Sequence, residues 1–81
     1  MNVETIISEI KGTFWQWNTE MLAISLRHPE RGYVDYLEKY IREVMQKTNT
    51  NYENARKAIS LLVEEKMTKI AEYYTNNVTG C

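Results

Sequence analysis

The chain has 81 residues, ten Lys and Arg against eleven Asp and Glu, a formal net charge of −1, and one cysteine. That is enough for one small domain spanning residues 1–81. Cys81 has no second cysteine to pair with, and Cys81 with the single His28 does not make a zinc site. The balanced charge lacks the basic excess of a dedicated nucleic-acid binder, no apolar run approaches the ~20 residues of a membrane span, and the first residues lack the basic-then-apolar pattern of an export signal. The expectation is therefore an all-α protein of the cytoplasm, away from the membrane.

The first predicted helix covers about 3–27. At 100° per residue, Val3, Ile6, Ile7, Ile10, Phe14, Trp17, Met21 and Ile24 fall within an arc of about 100°. Trp15 lies roughly 120° from the centre of that stripe, on a second ridge with Leu22 and Leu26. Either the helix is buried over a wide arc within one chain, or this ridge is an interface, since a tryptophan aligned with two leucines is an expensive surface to leave wet. Gly12 costs about 1 kcal/mol relative to Ala, but the phase survives across it.

Pro29 disfavours helical geometry at His28 and ends the helix near Arg27. His28 is expected to cap that end, and Gly32 to supply a joint. The second helix covers about 33–47, with Tyr33, Leu37, Tyr40, Ile41 and Val44 on one face. Asp35–Lys39, Glu38–Arg42 and Glu43–Lys47 are spaced four apart with the acid first, each pair worth about 0.3 kcal/mol on a solvated face.

After the loop "KTNTN", Thr50-Asn51-Tyr52-Glu53 reads as a capping box and opens a third helix over about 51–75. Its stripe is Tyr52, Ala55, Ile59, Leu62, Val63, Met67, Ile70, Tyr73 and Tyr74. Lys66 snorkels within that arc, and Leu61 points away from it. Residues 76–81 are expected to be a tail, in which the glycosylation-type triplet Asn77-Val78-Thr79 has no role.

The sum is an antiparallel three-helix bundle with long first and third helices and a shorter middle one. At about 1.5 Å per residue the outer helices reach roughly 35–38 Å and the middle one about 22 Å. The short helix cannot cover the groove between two long ones. Self-association, a two-fold dimer in the first instance, is expected to finish the core, with Trp15, Leu22, Leu26 and Leu61 at the interface.

No phosphate loop, metal spacing or nucleophile–base pair is recognisable, so no catalytic residue, metal or cofactor is assigned and the chain is read as non-enzymatic. Three binding readings follow. The preferred one is a homo-oligomeric protein-interaction or inhibitor module, of the size common among small accessory proteins of viruses and plasmids, with a protein partner besides itself. The second is a helix-turn-helix over 34–60 that reads DNA with Asn51, Asn54, Arg56 and Lys57. The third is a small-ligand site between protomers, lined by aromatic rings, with Arg27, Arg31 or Lys66 holding an anion.

"YIREVMQKTNTNYENARKAI", followed by "MTKIAEYY", resembles the ubiquitin-associated-type three-helix module at the start of elongation factor Ts and in nascent-chain-associated proteins. Ile41, Val44, Met45, Thr48, Ala55, Lys57, Ala58, Ile59, Ile70 and Tyr73 carry the likeness. That family interrupts its helix near the middle of this span, typically with Gly-Asp. The corresponding "LLVEEK" is expected to stay helical here, so no function is carried over.

Overall fold

The structure is a computed structural model that describes residues 2–79, with side chains through Tyr74. The described residues form α1 (Val3–Phe14), α2 (Thr19–Arg27), a 3-10 turn (Pro29–Arg31), α3 (Val34–Thr48) and α4 (Tyr52–Thr79). The expected all-helical class holds. The expected first helix over 3–27 does not: it is two helices, and the bundle has four in place of three.

The break falls at Trp15–Asn18 and has a local cause. The amides of Gln16 and Trp17 bond back to the carbonyls of Thr13 and Phe14, three residues away, which tightens and ends α1. Asn18 then adopts extended backbone (φ −77°, ψ 98°), and its Oδ1 accepts from the Met21 amide at 3.1 Å. Asn is among the best N-caps, so Asn18 starts a new helix in a new direction. Asn2 does the same for α1, its Oδ1 accepting from the amide and the hydroxyl of Thr5 at 2.8 Å each.

The break also redraws the buried face. Ile6, Ile10 and Phe14 enter the core as expected, but on α2 the fully buried residue is Leu22, with Ala23 and Ser25 beside it, while Met21 and Ile24 are only half-buried. The continuous stripe from Val3 to Ile24 is therefore corrected: Trp17 still packs on the core, but on α2 the inward face is that of Leu22, Ala23 and Ser25, with Leu26 packed against it.

α2 ends as Pro29 dictates. The backbone N–H of His28 bonds to the Ile24 carbonyl at 2.8 Å, and the His28 Nδ1 lies 3.3 Å from a Glu30 carboxylate oxygen. Gly32 closes the 3-10 turn at φ 86°, a left-handed conformation that glycine adopts without strain. The buried Ser25 hydroxyl lies 2.8 Å from the carbonyl oxygens of both Met21 and Tyr33, clipping the entry of α3 onto α2.

α3 buries Leu37, Ile41 and Val44, spaced four and three apart. It stops at Asn49, the described non-glycine residue with positive φ (53°). The α4 cap is shifted by one from the expected box: Asn51, not Thr50, accepts from the Asn54 amide at 2.8 Å. None of the three expected ion pairs along α3 forms among the described residues, and members of two of them find longer-range partners. Glu38 accepts the Tyr52 hydroxyl, and Lys47 donates to the Thr13 hydroxyl at 2.8 Å.

α4 is the spine. α1, α2 and α3 all pack on it, and α2 and α1 also touch α3. Ala55, Ala58, Ile59, Leu62 and Val63 form its buried face; the small side chains at 55 and 58 let neighbouring helices come close. The helix runs unbroken through "LLVEEK", which removes the hairpin that the ubiquitin-associated-type resemblance would need. It also continues to Thr79 through most of the expected tail, because no Gly or Pro interrupts 52–79. Gly80 and Cys81 lie outside the described residues. At ~1.5 Å per residue its 28 residues span about 42 Å, close to the longest molecular dimension of 47 Å.

Candidate functional site

The corner between α1 and α2 sets Trp15 against the outer part of α4. Phe14 turns into the core and stacks edge-on with Trp17 at 5.6 Å, and Trp17 packs on Tyr40 at 4.5 Å. Trp15, between them in sequence, is thrown to the outside and stays 47% exposed. The lysines of α4 meet it there: Lys66 Nζ lies 4.9 Å from the Trp15 ring centroid and Lys69 Nζ 5.9 Å. A cation over an indole face is worth about 0.5–1 kcal/mol when exposed.

Beyond Met67 the face of α4 that has been in the core runs on without a neighbouring helix. Ile70 is 39% exposed, and Tyr73 and Tyr74 more so, their rings edge-on at 5.8 Å. On the helical wheel Ile70 and Tyr73 share the direction of Ala55, Ile59 and Leu62. Trp15, Glu20, Lys66, Lys69, Ile70 and the two tyrosines line an open groove of about 380 Å³.

Charge rims this groove. Glu65 accepts from Lys69 (3.3 Å) and faces Lys11 of α1 (3.6 Å). The Lys69 hydrogen bond first, and the Lys11 charge next, hold the Glu65 carboxyl below the usual carboxylate range. Away from this groove, Arg27 Nη2 and Glu64 Oε1 join α2 to α4 at 2.7 Å. The lining therefore mixes the aromatic rings and Ile70 with charges of both signs, Glu20 against Lys66 and Lys69.

The four residues expected at an interface do not form one ridge. Trp15 is in the groove; Leu26 is half-buried against the core; Leu22 is wholly buried; Leu61 is 47% exposed on the far side of α4. Leu22 is corrected to a core residue of the single chain, because the break at Asn18 turns α2 relative to α1. Of the residues considered for DNA, Asn51 is engaged as the α4 cap and Asn54 is half-buried, while Arg56 and Lys57 are exposed. Of the three cations considered for a ligand anion, Arg27 is paired with Glu64 and Lys66 sits on Trp15. Arg31 and Arg27 both line a second groove of about 350 Å³, with Glu20, Ala23, Ile24, His28 and Met67.

Glu20, Lys69 and Glu65 were not singled out from sequence. The usable signal was the length of the α4 stripe, which outlasts anything the rest of the chain can lay on it. Among the described residues no group of three or more His, Cys, Asp or Glu gathers as a metal site, and no helix is long and apolar enough to cross a membrane. No family model, no curated protein and no solved structure matches the chain.

Proposed function

We propose that the protein is a small helical interaction module that works by binding a protein through the groove at Trp15 and the outer turns of α4. The observation that carries this reading is the groove itself: a half-exposed tryptophan and two lysines face an apolar helical stripe that α2 borders only at Glu20. Exposed tryptophan and tyrosine around an aliphatic centre are the residue types that dominate protein interfaces.

The test is site-specific photo-crosslinking in the native host cell. A benzoylphenylalanine probe replacing Trp15 should give discrete protein adducts, and the same probe replacing the exposed Lys57 supplies the background. Equal labelling from the two positions sinks the reading.

DNA binding through α3 and α4 is the weaker alternative. Arg56 and Lys57 support it, but Glu38, Glu43 and Glu53 lie close by in the same two helices, and repulsion from phosphate opposes docking there. Affinity for duplex DNA that falls steeply between low and moderate salt would favour it.

A further inference from the structure

We infer that the partner segment this groove takes is acidic at both ends and apolar between them, and lies along the seam of α2 and α4 from Trp15 to Arg31. The inference rests on reading the groove as a protein-binding face, and it names the chemistry of what binds there. The groove at Trp15 and the second groove, which holds Arg27 and Arg31, share Glu20, and on α4 they are lined by the adjacent residues Lys66 and Met67. They therefore form one path. Its apolar floor is Ile70 at one end, with Met67 and Ile24 further along.

This path is positive on a chain that is not. Arg27, Arg31, Lys66 and Lys69 line it against the single acid Glu20, while the whole chain carries −1. Carboxylates from outside the lining reach two of the four: Glu64 pairs with Arg27 and Glu65 with Lys69. His28, which also lines the path, faces Glu30. Lys66 and Arg31 have no ion-pair partner among the described residues, Glu20 included. Rings hold the Lys66 ammonium, 4.9 Å from the Trp15 centroid and 5.8 Å from that of Phe14. They fix its position and leave its charge in place. The unpaired charges along the path thus run positive, negative, positive: Lys66, Glu20, Arg31.

Lys66 stands beside Trp15 and Glu20, where α2 begins, and Arg31 follows where α2 ends. The two cations are therefore separated by the length of α2, whose 9 residues rise ~14 Å. An extended segment covers that in about four or five residues. Carboxylates at its two ends meet the unpaired cations, and the apolar side chains between them cover Ile24, Met67 and Ile70. Glu20, between the cations, repels a third acid. It so disfavours an evenly charged chain such as a nucleic-acid backbone.

The probe is the fluorescein-labelled peptide Glu-Glu-Leu-Phe-Ala-Leu-Glu-Glu, titrated with the full chain and followed by anisotropy. The wild type should bind it with a dissociation constant below about 500 μM. The counterpart with Lys in place of every Glu should bind at least about tenfold more weakly. Lys66→Glu and Arg31→Glu should each weaken binding of the acidic peptide by about threefold or more. Glu20→Gln should tighten it by about threefold, a gain that damage to the fold cannot produce. Lys57→Glu, away from the path, should change it by less than about twofold. Circular dichroism of each variant establishes that helix content is kept. Equal affinity for the two peptides overturns the inference. So does Glu20→Gln without effect, or an oligothymidylate of the same length that binds more tightly than the acidic peptide. If the Trp15 crosslinker gives discrete protein adducts while the acidic peptide does not bind, the protein-binding reading stands and the charge complement falls; the full set of charge effects without adducts does the reverse.

Discussion

Leu22 is wholly buried and Leu61 is 47% exposed, and the two leucines should respond to truncation accordingly. Leu22→Ala leaves a cavity at the junction of α2 with the core and should cost about 2–5 kcal/mol. In a domain whose whole stability is on the order of 5 kcal/mol, that unfolds much of the population. Leu61→Ala should cost less than about 0.5 kcal/mol; chemical denaturation distinguishes the two. Thr19 is also buried, and its Oγ1 has no hydrogen-bond partner among the described residues. Thr19→Val replaces that hydroxyl with a methyl of similar size and should raise stability by about 1 kcal/mol; a fall in the denaturation midpoint would show that the hydroxyl is satisfied. Tyr52 supplies a pH-dependent case. The Glu38 carboxylate that accepts its hydroxyl, and burial after it, push the phenol up from its ordinary value. A folded pKa above the unfolded one means the contact contributes fully below about pH 10 and is lost as pH rises through the folded value. Tyr52→Phe should therefore cost under about 1 kcal/mol at neutral pH, because both groups are partly wet. The gap between variant and wild type should close in alkaline melts.

At the scale of the elements, the turn at 15–18 decides the architecture. Asn18 separates α1 from α2, and the two caps Asn2 and Asn18 hold amides that water would otherwise have to satisfy. Asn18→Ala should cost about 1 kcal/mol. Its amide-exchange signature should be local, with faster exchange at Thr19–Met21 and little change at Ile6–Ile10. Uniform loosening of α1 and α2 together would mean that they act as one element. The aromatic residues at this turn divide: Phe14 is buried, Trp17 packs with the half-buried Tyr40 and Tyr36 against the core, and Trp15 is left to the groove. Burial, with the Tyr40 hydrogen bond after it, raises the Tyr36 phenol.

For the whole molecule the governing feature is the mismatch between α4 and everything packed on it. The radius of gyration is 13.9 Å, against about 12 Å for a rounded domain of this length, and the excess lies along α4. An isolated helical stretch of three turns is marginal in water. The amides past Met67 should therefore exchange far faster than those of Ile59–Val63. Equal protection of the two stretches would show that more than the helix's own hydrogen bonds holds the outer turns.

The sequence by itself determined the helical class, the proline stop after Arg27, the core faces of α1 and α3, and the apolar excess of α4. These depend on periodicity and local backbone chemistry, which act over a few residues. It also carried the Asn18 cap in plain sight, but the apolar phase from Phe14 through Trp17 to Met21 runs straight across that cap, and periodicity alone cannot tell a continuous helix from two that happen to keep step. Only the tertiary structure decided that α2 turns about its own axis to bury Leu22, and that Trp15 meets Lys66 and Lys69 instead of Leu22 and Leu26. Which face of a short helix goes inward is set by the helices it packs against, and those contacts join residues far apart in the chain.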